Sequence, residues 1–339
     1  MNIKEKSVVV GLSGGVDSAV AALLLKEQGY KVTAVMGLFS NMENEKLQIQ
    51  QARLVCEQLG ISLILKELKN EFKRDVVLYF TSEYKNGRTP SPCIVCNRKI
   101  KFPLLENIRK ELKYDFIATG HYAKKSFGKY PLMRGKGTDQ SYFISRVDRR
   151  ILLKTILPLS DFDKGQVIEK SKSGFSNIEW HSSRDICFVS KDYANLVKSY
   201  YPFAGKPGPI LDTNGRMIGT HKGVAYYTVG QRKRLDTVLS YPLYVKSIIP
   251  KENKLIVGVR DDCFTSSLTA REPIWLVNPQ DGNVYNIQTY STQTPFDAKL
   301  ILKENEFKLE FTKQQFQITP GQLAVLYDND IVVGSGWIK

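Results

Sequence analysis

Near its start the chain carries a short run of apolar residues flanked by polar ones, Ser7–Gly11 (SVVVG), β-branched through the middle and closed by glycine. Such a run predicts a strand buried on both faces, as in a parallel sheet. From Asp17 the period changes: Val20, Leu23 and Leu24 share a helical face, and Gly29 supplies the stop. Lys31–Phe39 (KVTAVMGLF) repeats the strand signature. Gln51–Leu59 is helical up to Gly60, and Ile61–Leu65 and Asp115–Gly120 (DFIATG) add a third and a fourth strand. Apolar strands alternating with helices predict an α/β domain built on a doubly wound parallel sheet.

Beyond about Tyr201 the pattern shortens. YPFAGKPGPI, GRMIGTHKG, KLIVGVR, AKLIL and LAVLYDNDIVVGSGWIK are β-rich runs punctuated by Gly and Pro. Turn signals at this spacing predict small β domains or a barrel. With boundaries near 200 and 268, the expected plan is 1–200 for the α/β domain, 201–268 for a small central β-rich domain and 269–339 for a C-terminal β-barrel.

Composition narrows the class. At 339 residues, 42% hydrophobic and 24% charged, the chain is globular and long enough for two or three domains. No stretch approaches the ~18–20 uncharged apolar residues of a membrane span, and the first residues run straight into the strand without a signal-peptide pattern. A cytoplasmic protein is expected, with its 5 cysteines reduced and available for chemistry. Against 34 acidic residues stand 49 basic ones, a formal net charge of +15. This excess points to a polyanionic partner, nucleic acid before anionic membrane.

Between the first strand and the first helix lies Gly11-Leu12-Ser13-Gly14-Gly15-Val16-Asp17-Ser18. Adjacent glycines let the backbone turn tightly and approach a ligand, and the helix that follows presents N–H groups and a positive dipole end to an anion. No Lys follows the glycines, so this is not the nucleoside-triphosphate loop GxxxxGK[ST]; nor is the spacing that of a dinucleotide fingerprint. The segment resembles the pyrophosphate loop of the adenylating PP-loop ATPases, whose fold is adenine-nucleotide-hydrolase-like and which cleave ATP between its α and β phosphates. The resemblance implies that Ser13, Gly14, Gly15, Asp17 and Ser18 hold pyrophosphate and its Mg²⁺, with Met36 lining the adenine and Gly120 touching ATP.

Further motifs narrow the resemblance. They are Pro90-Ser91-Pro92-Cys93-Ile94-Val95-Cys96-Asn97, Ala118-Thr119-Gly120-His121-Tyr122-Ala123, Asp139-Gln140-Ser141-Tyr142-Phe143 and Asp185-Ile186-Cys187-Phe188. Gly219-Thr220-His221-Lys222-Gly223, Tyr227-Thr228-Val229-Gly230-Gln231-Arg232 and Thr319-Pro320-Gly321-Gln322 complete the set. Together they resemble the tRNA-specific 2-thiouridylase family over nearly the whole chain. The resemblance implies adenylation of the wobble uridine O2 of tRNA, then attack of sulfur at C2. Cys187 would carry a persulfide, and Cys96 would form a disulfide with it that releases the sulfur. The implied tRNA contacts are Ser91, Pro92, Cys93, His121, Thr138, Asp139, Gln140, Tyr290 and Gln322. The implied partners are tRNA and a sulfur donor (a cysteine desulfurase, a relay protein or sulfide), with a monomer expected by analogy.

The chain departs from the family pattern at several points. Cys93 replaces an Asp, so the site reads Cys-x-x-Cys plus a distant Cys. Thr138 replaces a Lys, with Lys136 close by. Arg234, in the basic run Gln231-Arg232-Lys233-Arg234, replaces a Gly, and Thr289-Tyr290 stands for an Arg-Tyr pair. The thiols leave several readings open: a persulfide on Cys187 with Cys93 as bystander or redox partner, a [4Fe–4S] cluster on Cys93, Cys96 and Cys187, or zinc with His181 or Cys263 as the extra donor. Cys56 sits in an apolar helical pattern and reads as packing. Two other functions compete: a PP-loop enzyme that transfers an amine, which would need no thiols, and a tRNA-binding paralogue with altered catalysis, against which the intact loop and both cysteines stand.

Overall fold

The computed structural model describes residues 6–39, 43–126, 129–180, 186–189, 192–233, 235, 237 and 241–339. His181, Asp185 and Arg234 lie outside the described residues. The chain divides into two compact units. The first comprises Met1–Asp75, Cys93–Arg184 and Asp330–Val332; the second comprises Val76–Pro92, Asp185–Asn329 and Val333–Lys339.

The first unit is a five-stranded parallel sheet. Its strands are β1 (Ser7–Gly11), β2 (Lys31–Leu38), β3 (Ser62–Glu67), β4 (Phe116–Ala118) and, beyond the antiparallel hairpin of β5 (Ala123–Ser126) and β6 (Tyr130–Arg134), β7 (Thr155–Ile156). The order is β3-β2-β1-β4-β7. The chain builds outward from β1 to β3 and then returns to the other side of β1 with β4. Val8, Val9 and Val10 of β1 are fully buried, each contributing about 1.5–3 kcal/mol of apolar burial. Helices α1 (Val16–Glu27) and α2 (Glu43–Leu59) pack on the sheet through Ala19, Val20, Leu24, Ala52 and Val55. α2 starts eight residues before the expected Gln51, because Glu43–Gln50 is rich in good helix formers but carries too few apolar positions to show a periodic face.

The second unit holds two β modules. β8 (Gly208–Leu211), β9 (Met217–His221), β10 (Tyr244–Ile249) and β11 (Lys254–Gly258) form a sheet of order β10-β11-β8-β9, around a core that includes Phe80, Tyr84, Val197, Ile210 and Val257. β12 (Phe264–Trp275), β13 (Val284–Gln288), β14 (Phe296–Leu302), β15 (Glu306–Phe316), β16 (Leu323–Asp328) and β17 (Ile331–Ile338) follow as a barrel. Pairing of β12 with β17 closes it, which removes the open sheet edges. Leu268, Ile287, Leu300, Phe307 and Leu326 fill its interior. The α/β domain, the small β domain and the terminal barrel are the expected fold class.

Candidate active site

In the sheet order β1 and β4 are neighbours at the point where the winding direction reverses. Outside the carboxyl ends of such strands lies the crevice where α/β sheets bind ligands. The loop Leu12–Gly15 leaves β1 there, and Thr119–His121 leaves β4. Leu12 N–H donates to the Val35 carbonyl (2.9 Å). Ser13 N–H donates to Ser18 Oγ (3.1 Å), and Ser18 Oγ donates to the Gly15 carbonyl (2.9 Å), so one buried hydroxyl ties the loop to the helix it precedes.

The glycines have separate reasons. Gly14 has φ +75°, and a Cβ there would fall 2.5 Å from the Gln48 carbonyl oxygen on α2. Gly15 is extended, and no side chain caps α1 at this position. Among the described residues, a Cβ at Gly15 would meet only Ser13 Oγ, at 3.5 Å. The fold therefore requires glycine at 14 but not at 15, where the absence of a side chain keeps the helix N-terminus approachable by an anion. Gly120 lies flat against the first turn of α1: a Cβ would stand 2.8 Å from the Asp17 carbonyl carbon and oxygen and 2.9 Å from Ser18 N.

Asp17 is fixed by two residues the motif reading missed. Its Oδ1 accepts from the Tyr122 hydroxyl (2.6 Å) and from Lys164 Nζ (2.6 Å). Burial, and then the Asp17 carboxylate, hold the Tyr122 hydroxyl above the usual phenol range, so it remains a donor. Tyr122 directly follows His121, which was a sequence signal; Lys164 lies 147 positions from Asp17 and had none. Met36 is 3% exposed on β2, packed in the core of this unit.

His121 is half-buried and engaged at both ring nitrogens. Nδ1 lies 2.9 Å from Thr119 Oγ1, and Nε2 lies 3.4 Å from Asn97 Nδ2. Burial, and then the Lys101 charge, push its pKa down to about 3, so the ring is neutral near pH 7. Asn97 is itself buried. Its Nδ2 donates to the Phe143 carbonyl (3.0 Å), while its Oδ1 has no hydrogen-bond partner among the described residues. Asn97 directly follows the short helix Pro92–Cys96, whose two thiols are one turn apart: Cys93 is exposed and Cys96 buried.

Cys187 belongs to the second unit and is exposed. Its neighbour Phe188 anchors the turn by packing edge-to-face on Phe80 (5.2 Å). Cys56 is core, and burial pushes its thiol up to about 11. Cys263 is half-buried; burial and then Asp262 raise its thiol too.

Several residues implied as tRNA contacts have bonds within the protein. Asp139 accepts from Gly135 N–H (3.0 Å), Ser141 N–H (2.9 Å) and Ser141 Oγ (2.8 Å). Gln140 Oε1 accepts from Tyr122 N–H (3.2 Å), so this segment also shapes the residues beside the loop. Thr138 is exposed and Pro92 buried. Ser91 Oγ donates to Gln322 Oε1 (3.1 Å). Tyr290 is exposed, whereas Thr289 is buried with its hydroxyl on Gln293 (2.8 Å). Arg232 and Lys233 are exposed.

A glycine loop at the switch point of a parallel sheet, opening onto a helix N-terminus, is the architecture of an α/β domain of the nucleotide-binding class. Residues 6–191 match a family described as the tRNA methyl transferase HUP domain, 194–259 its PRC-barrel domain and 265–338 an aminomethyltransferase beta-barrel domain. The chain is 38% identical to the tRNA-specific 2-thiouridylase MnmA of Halothermothrix orenii over 98% of both chains. To that of Treponema denticola it is 39% identical, over 98% of this chain and 97% of the other. A U34-tRNA thiolase, NcsA from Methanococcus maripaludis with its [4Fe-4S] cluster, is 20% identical, covers 60% of this chain and 67% of its own, and has a TM-score of 0.39, too loose a likeness to support an inference. The chain belongs to the tRNA-specific 2-thiouridylase family.

Proposed function

We propose that this protein is an ATP-dependent tRNA 2-thiouridylase acting on the wobble uridine. The observation that carries the reading is the Gly11–Ser18 cradle, sterically specified at Gly14 and Gly120, in a chain that also carries the family's thiol pair. The matched domain descriptions name methyl transfer, but methyl transfer needs neither a pyrophosphate cradle nor two thiols.

Uracil C2 is a poor electrophile and its oxygen a poor leaving group. ATP is therefore a substrate: the uracil O2 attacks the α phosphorus, pyrophosphate leaves, and the N3 proton is lost. Ser13, Gly14, Gly15 and Ser18 receive the phosphates through N–H and hydroxyl donors. Mg²⁺ typically binds through one or two carboxylates plus substrate phosphates, and Asp17 is the carboxylate that suits it; when bound, the ion would neutralise pyrophosphate charge. Met36 and Gly120 border the nucleotide.

The sulfur step then runs on thiols. A persulfide on Cys187 attacks C2 with its outer sulfur and AMP departs with the former O2. Cys96 thiolate next attacks Cys187 Sγ. The bond between Cys187 and the transferred sulfur breaks with its electron pair left on the base, N3 regains a proton to give the 2-thio carbonyl, and a Cys96–Cys187 disulfide remains. An external dithiol reductant returns the two electrons, and a sulfane-sulfur donor reloads Cys187. The two cysteines belong to different units, and the reaction requires them to meet. A [4Fe–4S] cluster would draw on the same Cys93, Cys96 and Cys187 thiolates and would supply an open iron for sulfide; the thiol route uses the side chains of this chain alone.

Splayed anticodon bases suit chemistry on an unstacked nucleotide, and the +15 charge suits a polyanion. Among the described residues no helix is long and apolar enough to cross a membrane. A cytoplasmic monomer served by a cysteine desulfurase or a sulfur-relay protein completes the proposal, with free sulfide the donor that suits the cluster route. The test is persulfide loading by a cysteine desulfurase, read by mass spectrometry of the Cys187 peptide, with anaerobic iron and acid-labile sulfide analysis of the same sample. One added sulfur on Cys187 in an iron-free, active enzyme supports the reading; activity that tracks iron content would replace it with the cluster mechanism.

A further inference from the structure

The loop that leads into the thiol helix is tied down within the second unit. At its start Gly87 has φ +67°, and a Cβ there would meet Pro250 Cγ at 2.9 Å. Arg88 grips the buried Glu83 with two bonds, Nε to Oε2 (2.6 Å) and Nη2 to Oε1 (2.5 Å). Thr89 N–H donates to the Pro320 carbonyl (2.8 Å). Gln322 then spans the rest of the loop. Its Nε2 donates to the Thr89 carbonyl (3.0 Å), with the Pro90 carbonyl at 3.5 Å, and its Oε1 accepts from Ser91 Oγ (3.1 Å). Gly321, φ +88°, allows this approach: a Cβ there would stand 2.8 Å from Arg88 Cβ and 2.9 Å from Thr89 N and O. The anchor is firm, since Gly321 N–H donates to the Ile338 carbonyl (2.9 Å) and Ile338 N–H to the Gln322 carbonyl (2.9 Å) at the end of β17. The next residue after Ser91 is Pro92, the first residue of the helix that carries Cys93 and Cys96.

We propose that Gln322, seated by Gly321, is a positioning residue for the sulfur chemistry: its carboxamide clamps Thr89–Ser91 and so fixes where the Cys93-x-x-Cys96 helix begins. The proposal rests on the thiolation reading for its purpose, but not for its geometry. A carboxamide that donates on one side and accepts on the other can satisfy both the Thr89 carbonyl and the Ser91 hydroxyl, whereas a carboxylate has no donor for the carbonyl and alanine serves neither.

The test is alkylation of the ATP-free, tRNA-free enzyme by iodoacetamide, followed peptide by peptide. Cys93 is exposed, Cys96 is 6% exposed and Cys56 4% exposed; they serve as positive control, reporter and unfolding control. Gln322→Ala is expected to raise the Cys96 rate on the order of tenfold, the scale of two lost hydrogen bonds, with Cys56 still protected. Ser91→Ala should raise it by a smaller factor, and Gln322→Glu should fall between alanine and wild type. In turnover, kcat for thiolation should fall by a larger factor than KM for tRNA changes, while the rate of pyrophosphate exchange holds. Unchanged Cys96 reactivity with weakened tRNA binding would overturn the proposal and make Gln322 an RNA contact only. A parallel rise at Cys56 in both Gln322→Ala and Ser91→Ala would also overturn it, as general loosening. Because alkylation needs no substrate, failure of the thiolation reading leaves this readout intact.

Discussion

Gly120→Ala tests whether the end of β4 shapes the phosphate cradle. The added methyl would sit 2.8 Å from the Asp17 carbonyl carbon and oxygen and 2.9 Å from Ser18 N, all backbone atoms of the first turn of α1. None of these is the far end of a flexible side chain, so relief requires moving a helix turn by roughly 0.5 Å to reach ordinary contact. Overpacking of this kind costs about 1–3 kcal/mol. The same turn carries the Asp17 carboxylate, held at 2.6 Å by both Tyr122 and Lys164, and the Ser18 hydroxyl that closes the loop. A misplacement of about 1 Å can cost on the order of 10²-fold, so half that shift should lower kcat/KM for ATP by about tenfold. The assays are thermal unfolding and tRNA-dependent AMP release across an ATP titration. Loss of stability with unchanged ATP kinetics would refute the link between Gly120 and nucleotide geometry. No loss of either would refute the packing itself.

Gly15→Ala should do the opposite of Gly120→Ala. With only Ser13 Oγ at 3.5 Å from the new Cβ, stability should hold within about 0.5 kcal/mol while KM for ATP rises; unchanged ATP kinetics would remove Gly15 from the cradle. Tyr122→Phe deletes one bond to a charged acceptor and should cost about 1–2 kcal/mol, measured by denaturant unfolding, with slower AMP release. The pH dependence of stability carries a signature of His121. Its folded pKa, about 3, lies below the unfolded value of about 6.5, so the unfolded chain binds the extra proton between them. Its stabilisation is full above about pH 6.5 and is lost as pH falls toward 3. Burial depresses His221 in the same direction, so the comparison is with His121→Gln, which should flatten the unfolding curve in that window. An unchanged curve would mean that His121 titrates normally.

Patterns that involve near neighbours in sequence were legible, and long-range closures were not. The SVVVG strand, the glycine turn and the helix start lie within about twenty residues, and their residue types follow from local backbone demands, so both the α/β class and the cradle could be read directly. Gly120 could be proposed only by resemblance, because its reason is the α1 turn more than a hundred positions away. Tyr122 and Lys164 meet Asp17 across 105 and 147 positions, and Gln322 meets Ser91 across 231. No periodicity encodes such pairs. Barrel closure by β12 and β17 is of the same kind: each strand reads as a β run, but which ends pair is decided by the whole fold. Asp139 and Gln140 show a further limit. Their motif resembles an RNA-contact run, while their side chains also accept backbone N–H groups that shape the segment next to the loop.

The most direct measurement is a single-turnover reaction of desulfurase-loaded enzyme with unmodified tRNA and ATP, following AMP, pyrophosphate, 2-thiouridine and the thiol state of Cys96 and Cys187 together. One AMP, one pyrophosphate and one Cys96–Cys187 disulfide should appear per 2-thiouridine formed, and Cys187→Ser should release AMP without forming 2-thiouridine. ADP and phosphate in place of AMP and pyrophosphate, or 2-thiouridine from Cys187→Ser, would contradict it.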